Sequence, residues 1–338
     1  MAGGTAAGHG SESLPGQAPI DVAIVEDVWG QAFERLAAKF HLAWMPDAWT
    51  RPEELPERVA GARALVVRNR THVGAELMRQ LPALELVARA GVGFDNIDAR
   101  AAEDLGVVVT VPVGVNAASV AEYTVGAALA LARRMLPLDR AVRAGAWERT
   151  PGHELGGGTW GLLGLGATGR AVARLARALG MDVIGHDPYA EPSALHPLGA
   201  RLASLEDTVR AADVLSVHLP ATTRTHGLVD APLLARLKPE AILINAGRGD
   251  VVDEEALADA LTAGRLLGAA LDVRASEPPG PSRLHELDNV MLTPHIAGIT
   301  QQSQRRITDL LADDIEAILC GESAQSALGV SQPHRDNP

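Results

Sequence analysis

Cysteine is almost absent from this sequence: among 338 residues the only one is Cys320. An internal disulfide and a multi-cysteine zinc or iron–sulfur site are thereby excluded, no metal site is expected, and a reducing, cytoplasmic compartment is the expectation. Aromatic residues make up only 3% of the chain, so a core has to be built largely from Ala, Val, Leu and Ile. Positive charge is in deficit, because 30 Lys and Arg against 42 Asp and Glu give a formal charge of −12. No overall basic field exists to hold a phosphate backbone, and nucleic acid is not an expected partner. No long hydrophobic run is present either. The longest helix-like apolar stretch, GAALALA at 126–132, is far too short to cross a bilayer, so no membrane partner is expected. Residues 1–20 carry no Lys or Arg and no apolar h-region, which argues against a secretory signal or a transit peptide.

What is present is a chain of 47% apolar residues, long enough for about two domains with separate cores. Short runs rich in Val and Ile alternate with longer segments of helical periodicity, the pattern of α/β parallel sheets with crossover helices. One set of strands is read at 21–25, 64–68, 84–90 and 107–111, and a second at 159–166, 182–187, 214–219, 241–247, 268–273 and 290–295. Between the sets, the Ala-rich stretch 116–135 predicts a connecting helix, and a last helix is predicted over about 299–320. Residues 1–20 and 322–338, rich in Gly, Ser and polar residues, read as flexible tails.

Gly164, Gly166 and Gly169 form a GxGxxG between an apolar strand and an Ala/Arg/Leu helix. A pyrophosphate needs that arrangement: a tight turn, close approach of backbone to the anion, and close packing of the helix, with the anion at the positive helix end. Asp187 ends the next strand, 23 positions after Gly164, where a carboxylate accepts from ribose hydroxyls and repels a 2′-phosphate. Together they favour NAD over NADP, with His186 beside the acid as a partial offset.

Three further stretches place chemical groups at strand ends, where ligands lie in open α/β sheets. Arg248 follows AILINAG, and a guanidinium there can clamp a carboxylate and polarise an adjacent carbonyl. His295 ends VMLTPH and can take a hydroxyl proton as hydride leaves, or return it. Glu277, just before Pro278-Pro279, can hold His295 in one tautomer and stabilise the imidazolium. Taken singly, each also suits a plainer role: a capping arginine, a structural histidine and a solvated loop acid.

Taken in order, the segments resemble the D-2-hydroxyacid dehydrogenases. They are the glycine turn, Asn245-Ala-Gly-Arg248-Gly-Asp-Val-Val-Asp253-Glu254, Ala270-Leu-Asp272-Val273 with Glu277-Pro278, and Pro294-His295. Upstream, Arg89-Ala-Gly91-Val-Gly93-Phe-Asp95-Asn96-Ile-Asp98, Asn116 and Val120-Ala121-Glu122 are also similar to that family. The resemblance covers about 21–321. Through Val67-Arg68-Asn69-Arg70-Thr71 and Trp147-Glu148-Arg149 it leans toward short phosphoglycerate dehydrogenases and hydroxypyruvate reductases.

The resemblance implies two Rossmann-like or flavodoxin-like domains. An NAD-binding domain at 113–298 would be inserted into a discontinuous substrate domain at 21–112 and 299–321, with hinges near 112–116 and 296–299. Arg248, Glu277 and His295 would be the catalytic set. Gly164, Gly166, Ala167, Thr168, Gly169, Asp187, Ala246 and Asp272, with Arg248 and His295, would line the cofactor, Asp272 holding the nicotinamide carboxamide. Backbone amides at Val92 and Gly93 would grip the substrate carboxylate beside Arg68, Arg248 and His295, and Asn116 and Glu122 would sit at the cleft mouth. Arg68, Arg70 and Arg149 are candidate phosphate contacts, and equally three solvated arginines. The implied reaction is hydride transfer between nicotinamide and C2 of a D-2-hydroxy acid such as 3-phosphoglycerate, glycerate or the 2-oxo acids hydroxypyruvate and glyoxylate, carried out by a homodimer. Two residues depart from the family pattern: Arg274 stands where an aromatic is frequent, and Asp250 replaces a frequent glycine. Both could alter pocket charge. The competing readings are an NAD(H)-sensing corepressor on the same fold and a methyltransferase using the glycine loop; the second leaves the Arg, Glu and His arrangement unexplained.

Overall fold

The computed structural model describes residues 19–334. The chain forms two compact units, one of the described residues up to Pro112 and from Thr308 onward, the other of Val113–Ile307. In the first, β1 (Val22–Ile24), β2 (Leu42–Trp44), β3 (Ala64–Val67), β4 (Leu86–Arg89) and β5 (Val108–Thr110) pair in parallel in the order β5-β4-β3-β1-β2. This is the doubly wound flavodoxin-like order. Parallel strands are covered on both faces by their crossovers, and β1, β3, β4 and β5 are buried at every residue.

The second unit contains β6 (Thr159–Leu163), β7 (Asp182–His186), β8 (Ala200–Leu202), β9 (Val214–Val217), β10 (Ala241–Asn245), β11 (Leu266–Leu271) and β12 (Val290–Leu292). All pair in parallel, in the order β12-β11-β10-β9-β6-β7-β8. From β6 the chain winds outward to β8 and then returns to the other side of β6 to build β9 to β12. The strand order therefore reverses between β6 and β9, where a crevice opens at the carboxyl ends of the strands. Alternate residues feed two cores. Trp160, Leu162 and Ile244 pack on one face among the alanines of helices Ala117–Ala132 and Ala167–Ala178, and Leu163, Leu215 and Leu243 pack on the other with Leu257 and Leu261 of helix Glu254–Thr262.

Besides the unexpected edge strands β2 and β8, three features differ from the expectations. The connecting helix ends at Ala132, because Arg134 adopts a left-handed conformation (φ 53°) and a separate helix, Met135–Arg143, begins. The second unit runs to Ile307, beyond the expected 298. The start of helix Gln301–Leu319 is tied to it: Ser303 Oγ donates to Gly298 O at 2.7 Å and Arg306 Nε to Val115 O at 3.3 Å. Finally, part of the expected C-terminal tail is ordered, since β13 (Ala327–Leu328) pairs antiparallel with β5, Ala327 opposite Thr110. The polar run before it is used rather than solvated. Asp314, a buried carboxylate, accepts from the Gln325 amide at 2.6 Å and from the Ser326 hydroxyl. The expected N-terminal tail, apart from 19–20, lies outside the described residues, as do 335–338. Among the described residues no helix is long and apolar enough to cross a membrane.

Candidate active site

The glycine turn follows β6 directly. Gly164 has φ +96°, its N–H donates to His186 O at 2.9 Å, and a Cβ there would sit 2.7 Å from His218 O. A Cβ at Gly169 would overlap the Gly164 carbonyl, so that glycine lets helix Ala167–Ala178 close onto the turn. Gly166 is different: a Cβ on it would meet nothing within 4 Å. Two glycines are thus required by the fold, while the third keeps open the space in front of a helix start that has no side-chain cap. Gly166 and Ala167 are exposed there, with Thr168 half-buried. These residues fit a dinucleotide pyrophosphate, which would take the uncapped N–H groups. Asp187 ties the turn together, Oδ2 accepting from Leu165 N–H at 2.8 Å and Oδ1 from Tyr189 N–H at 2.9 Å. Each oxygen keeps a further lone pair for a ribose hydroxyl.

Arg248, Glu277 and His295 follow β10, β11 and β12, at the same carboxyl end of the sheet as the glycine turn. Asn245, the buried last residue of β10, shapes the Arg248 turn. Its Nδ2 donates to Arg248 O at 2.9 Å and its Oδ1 accepts from Gly247 N–H at 3.1 Å. His295 Nδ1 lies 2.7 Å from Glu277 Oε2. A carboxylate only accepts, so Nδ1 carries the proton and Nε2 is left to exchange one. Burial works to raise the Glu277 pKa, but the hydrogen bond and charge of His295, the Arg274 N–H and the nearby Arg248 charge outweigh it and hold the carboxyl below its ordinary value. His295 itself has φ +56°, an uncommon conformation for a residue with a Cβ.

Asp272 supplies what holds that turn. It is 2% exposed, and its Oδ1 accepts from Thr293 Oγ1 at 2.6 Å and Ile296 N–H at 2.8 Å, its Oδ2 from Ala297 N–H at 2.8 Å. Its carbonyl accepts from His295 N–H at 2.8 Å. Because the Thr293 proton goes to Asp272, the Tyr123 hydroxyl, 2.6 Å away, is the donor to Thr293. Burial pushes the Tyr123 pKa up to about 12, with the Thr293 bond opposing and the Asp272 charge adding to the rise. Thr293 and Asn245 carry no signal in sequence beyond their place beside a motif.

Residues 125–297 match the model of the D-isomer specific 2-hydroxyacid dehydrogenase NAD binding domain. The chain is 42% identical over 280 residues to a D-3-phosphoglycerate dehydrogenase of Mycobacterium bovis, covering 82% of this chain and 53% of that protein. The chain belongs to the D-2-hydroxyacid dehydrogenase family. It spans about half the length of the curated relatives it matches. Among solved structures, a protein from Thermus thermophilus superposes with a TM-score of 0.86 at 34% identity, over 91% of this chain and 100% of that one. A D-lactate dehydrogenase from Aquifex aeolicus, complexed with NAD and lactic acid, superposes with a TM-score of 0.80 at 28% identity over 89% of this chain and 96% of that one.

In this chain the second unit holds the whole glycine turn, Asp187, Ala246, Arg248, Asp272, Glu277 and His295. Asn116 and Glu122 are there too. Asn116 precedes helix Ala117–Ala132 without capping it, its amide packed where a Cβ on Gly298 would be. Val92, Gly93, Arg68 and Arg70 belong to the first unit, Arg149 to the second. The stretch 68–71 is not an open anion site. Buried Glu26 already accepts from the N–H groups of Arg68, Asn69, Arg70 and Thr71 at 2.8, 3.1, 3.0 and 2.9 Å. Only side chains remain for a ligand, and Arg68 Nη1 already donates to Asp27 O at 3.3 Å. Burial lowers the Arg68 pKa, and Arg70 lies over the Trp49 ring at 4.3 Å. Of the two departures from the family pattern, Asp250 lines a cavity of about 440 Å³ with Thr222 and His226. The Arg274 side chain, 6% exposed, is instead paired with Glu254.

Proposed function

We propose that this chain is an NAD-dependent oxidoreductase that interconverts a D-2-hydroxy acid and its 2-oxo acid. The observation that carries the reading is His295 Nδ1 bound to Glu277 at 2.7 Å with the Arg248 charge beside the same carboxylate. NAD, when bound, supplies the hydride acceptor, and its reduced form the donor. Gly164, Gly166, Ala167, Thr168 and Gly169 hold its pyrophosphate, Asp187 its adenosine ribose, and Ala246 and Asp272 stand at the nicotinamide end. Arg248 clamps the acid carboxylate and polarises the C2 carbonyl. In oxidation, the hydroxyl proton passes to His295 Nε2, and Glu277 stabilises the imidazolium that forms; reduction returns the same proton. In the first unit, the amides of Val92 and Gly93 and the Arg68 side chain are the groups offered to the substrate carboxylate.

The relatives make 3-phosphoglycerate the first acid to try, with Arg68, Arg70 and Arg149 as its phosphate contacts. A homodimer in the cytoplasm completes the proposal. Absorbance of NADH against 3-phosphoglycerate and a panel of 2-oxo acids tests it. Loss of about 10²-fold or more in kcat is expected for folded His295→Gln and Arg248→Gln. Wild-type turnover in either variant removes these roles, and equal rates with phosphorylated and unphosphorylated acids remove the phosphate contacts.

A further inference from the structure

Arg274 is a buried arginine three residues before Glu277. Arginine is rarely buried unless paired, and here the pairing is two-pronged. Nε donates to Glu254 Oε1 at 3.0 Å and Nη2 to Oε2 at 2.6 Å. Glu254 Oε1 also accepts from Ala275 N–H at 3.0 Å. The third nitrogen, Nη1, lies 3.3 Å from His285 Nε2, which must be the acceptor because a guanidinium only donates. Glu254 opens helix Glu254–Thr262, the element that follows the Arg248 turn.

The backbone of Arg274 faces the same groups. Its N–H donates to Glu277 Oε1 at 3.1 Å, while the other oxygen of that carboxylate holds His295. On its far side, a Cβ at Gly249, the neighbour of Arg248, would overlap the Arg274 carbonyl and the Ala275 nitrogen. The Arg248 turn and the Glu277 segment therefore meet backbone to backbone at residue 274. Ala275 to Pro281 are all exposed, so the segment that carries Glu277 has no apolar core to fix it. Its start is fastened by Arg274 and Ala275 to Glu254, and its end by the reach of Arg274 to His285.

We propose that Arg274 and Glu254 are positioning residues: their buried ion pair fastens the Glu277 segment to the Arg248 turn and so keeps Glu277 on His295 Nδ1. This rests on the roles given to Arg248, Glu277 and His295 above. The pair touches neither substrate nor cofactor in this account; it acts through Glu277.

Removing one member of a buried pair strands the other charge, whereas replacing both by apolar groups can leave stability intact. The test compares Arg274→Met with Arg274→Met/Glu254→Met. It reads the thermal midpoint, kcat and KM, and the downfield Nδ1–H proton resonance of His295, identified by its absence in His295→Gln. Arg274→Met is expected to lower all of midpoint, kcat and resonance intensity. The double variant is expected to recover the midpoint while kcat stays down by about tenfold or more, KM for NADH changes by less than about twofold, and the resonance stays lost. Should the apolar pair not fold, Arg274→Lys, which keeps the charge but neither the fork nor the reach to His285, is expected to show the same losses at smaller size. Wild-type kcat and an intact resonance in whichever folded variant is compared overturn the proposal. If the wild-type protein turns over no 2-oxo acid, the proposed function fails, while the His295 resonance still reports whether the pair holds Glu277.

Discussion

Asp187 shows how one side chain can serve fold and ligand together. It accepts two backbone N–H groups that close the glycine turn, and in the proposed cofactor site its charge would oppose a 2′-phosphate. Asp187→Ser is expected to narrow the preference for NADH over NADPH by about tenfold, chiefly through a lower kcat/KM for NADH. Equal use of both cofactors by the wild type would sink this. His218 makes a prediction about acid stability. The Trp160 indole donates to Ser216 Oγ at 2.9 Å, His218 Nε2 lies 3.0 Å from the same oxygen, and burial lowers the imidazole pKa to about 4. An unfolded histidine takes its proton near pH ~6.5, so below that pH the unfolded state binds more protons, and stability falls until pH reaches about 4. The expected loss is about 2–3 kcal/mol, absent in His218→Asn, and urea midpoints across that range measure it. Parallel curves for the two proteins would refute it. The chemical groups themselves were legible in sequence because each ends a strand or fills a turn. Their supports were not. Asp272 bonds Ile296 and Ala297, 24 and 25 positions on, and Glu254 meets Arg274 20 positions away; no local pattern encodes such pairs.

The same contrast holds for the elements. Strands inside each sheet are legible, because burial on both faces demands an unbroken apolar run, as in AILIN of β10. The three strands that the sequence does not announce, β2, β8 and β13, are all sheet edges. An edge strand is short, pairs on one side and tolerates polar residues; β8 reads Ala-Arg-Leu and β13 is two residues long. What fixes β13 is Asp314 on helix Gln301–Leu319, through Gln325 and Ser326. Asp314→Ala leaves those donors without their acceptor and is expected to cost about 1–3 kcal/mol. Faster amide exchange at Val111, whose N–H donates to Ser326 O at 2.9 Å, would locate the loss at the sheet edge. Unchanged exchange there would show that β13 is held by something else.

At the scale of the whole molecule, the Ala-rich connecting helix is already engaged within its own unit. Helix Ala117–Ala132 buries Ala117, Ala121, Ala127, Ala128 and Leu131 in the core of its own unit. The helix after it, Met135–Arg143, buries none of its residues, and Met135, Leu136 and Val142 are exposed, with Trp147 beyond it 80% exposed. In a chain with only 3% aromatic residues, an exposed tryptophan soon after a helix with three exposed apolar side chains is a costly surface, and exposed apolar surface of this kind marks association sites. A charge of −12 repels a second copy, so the proposed dimer needs an apolar contact. Two-fold symmetry would supply one, because the same surface would meet itself. Light scattering at micromolar protein is expected to give a mass about twice the 35.3 kDa of the chain. Leu136→Glu with Val142→Glu places like charges across the axis and is expected to return the single-chain mass, with the thermal midpoint of the isolated chain lowered by loss of the linkage to dimer formation. Wild-type protein at the single-chain mass would leave these four side chains without a partner copy and remove the dimer from the proposed function.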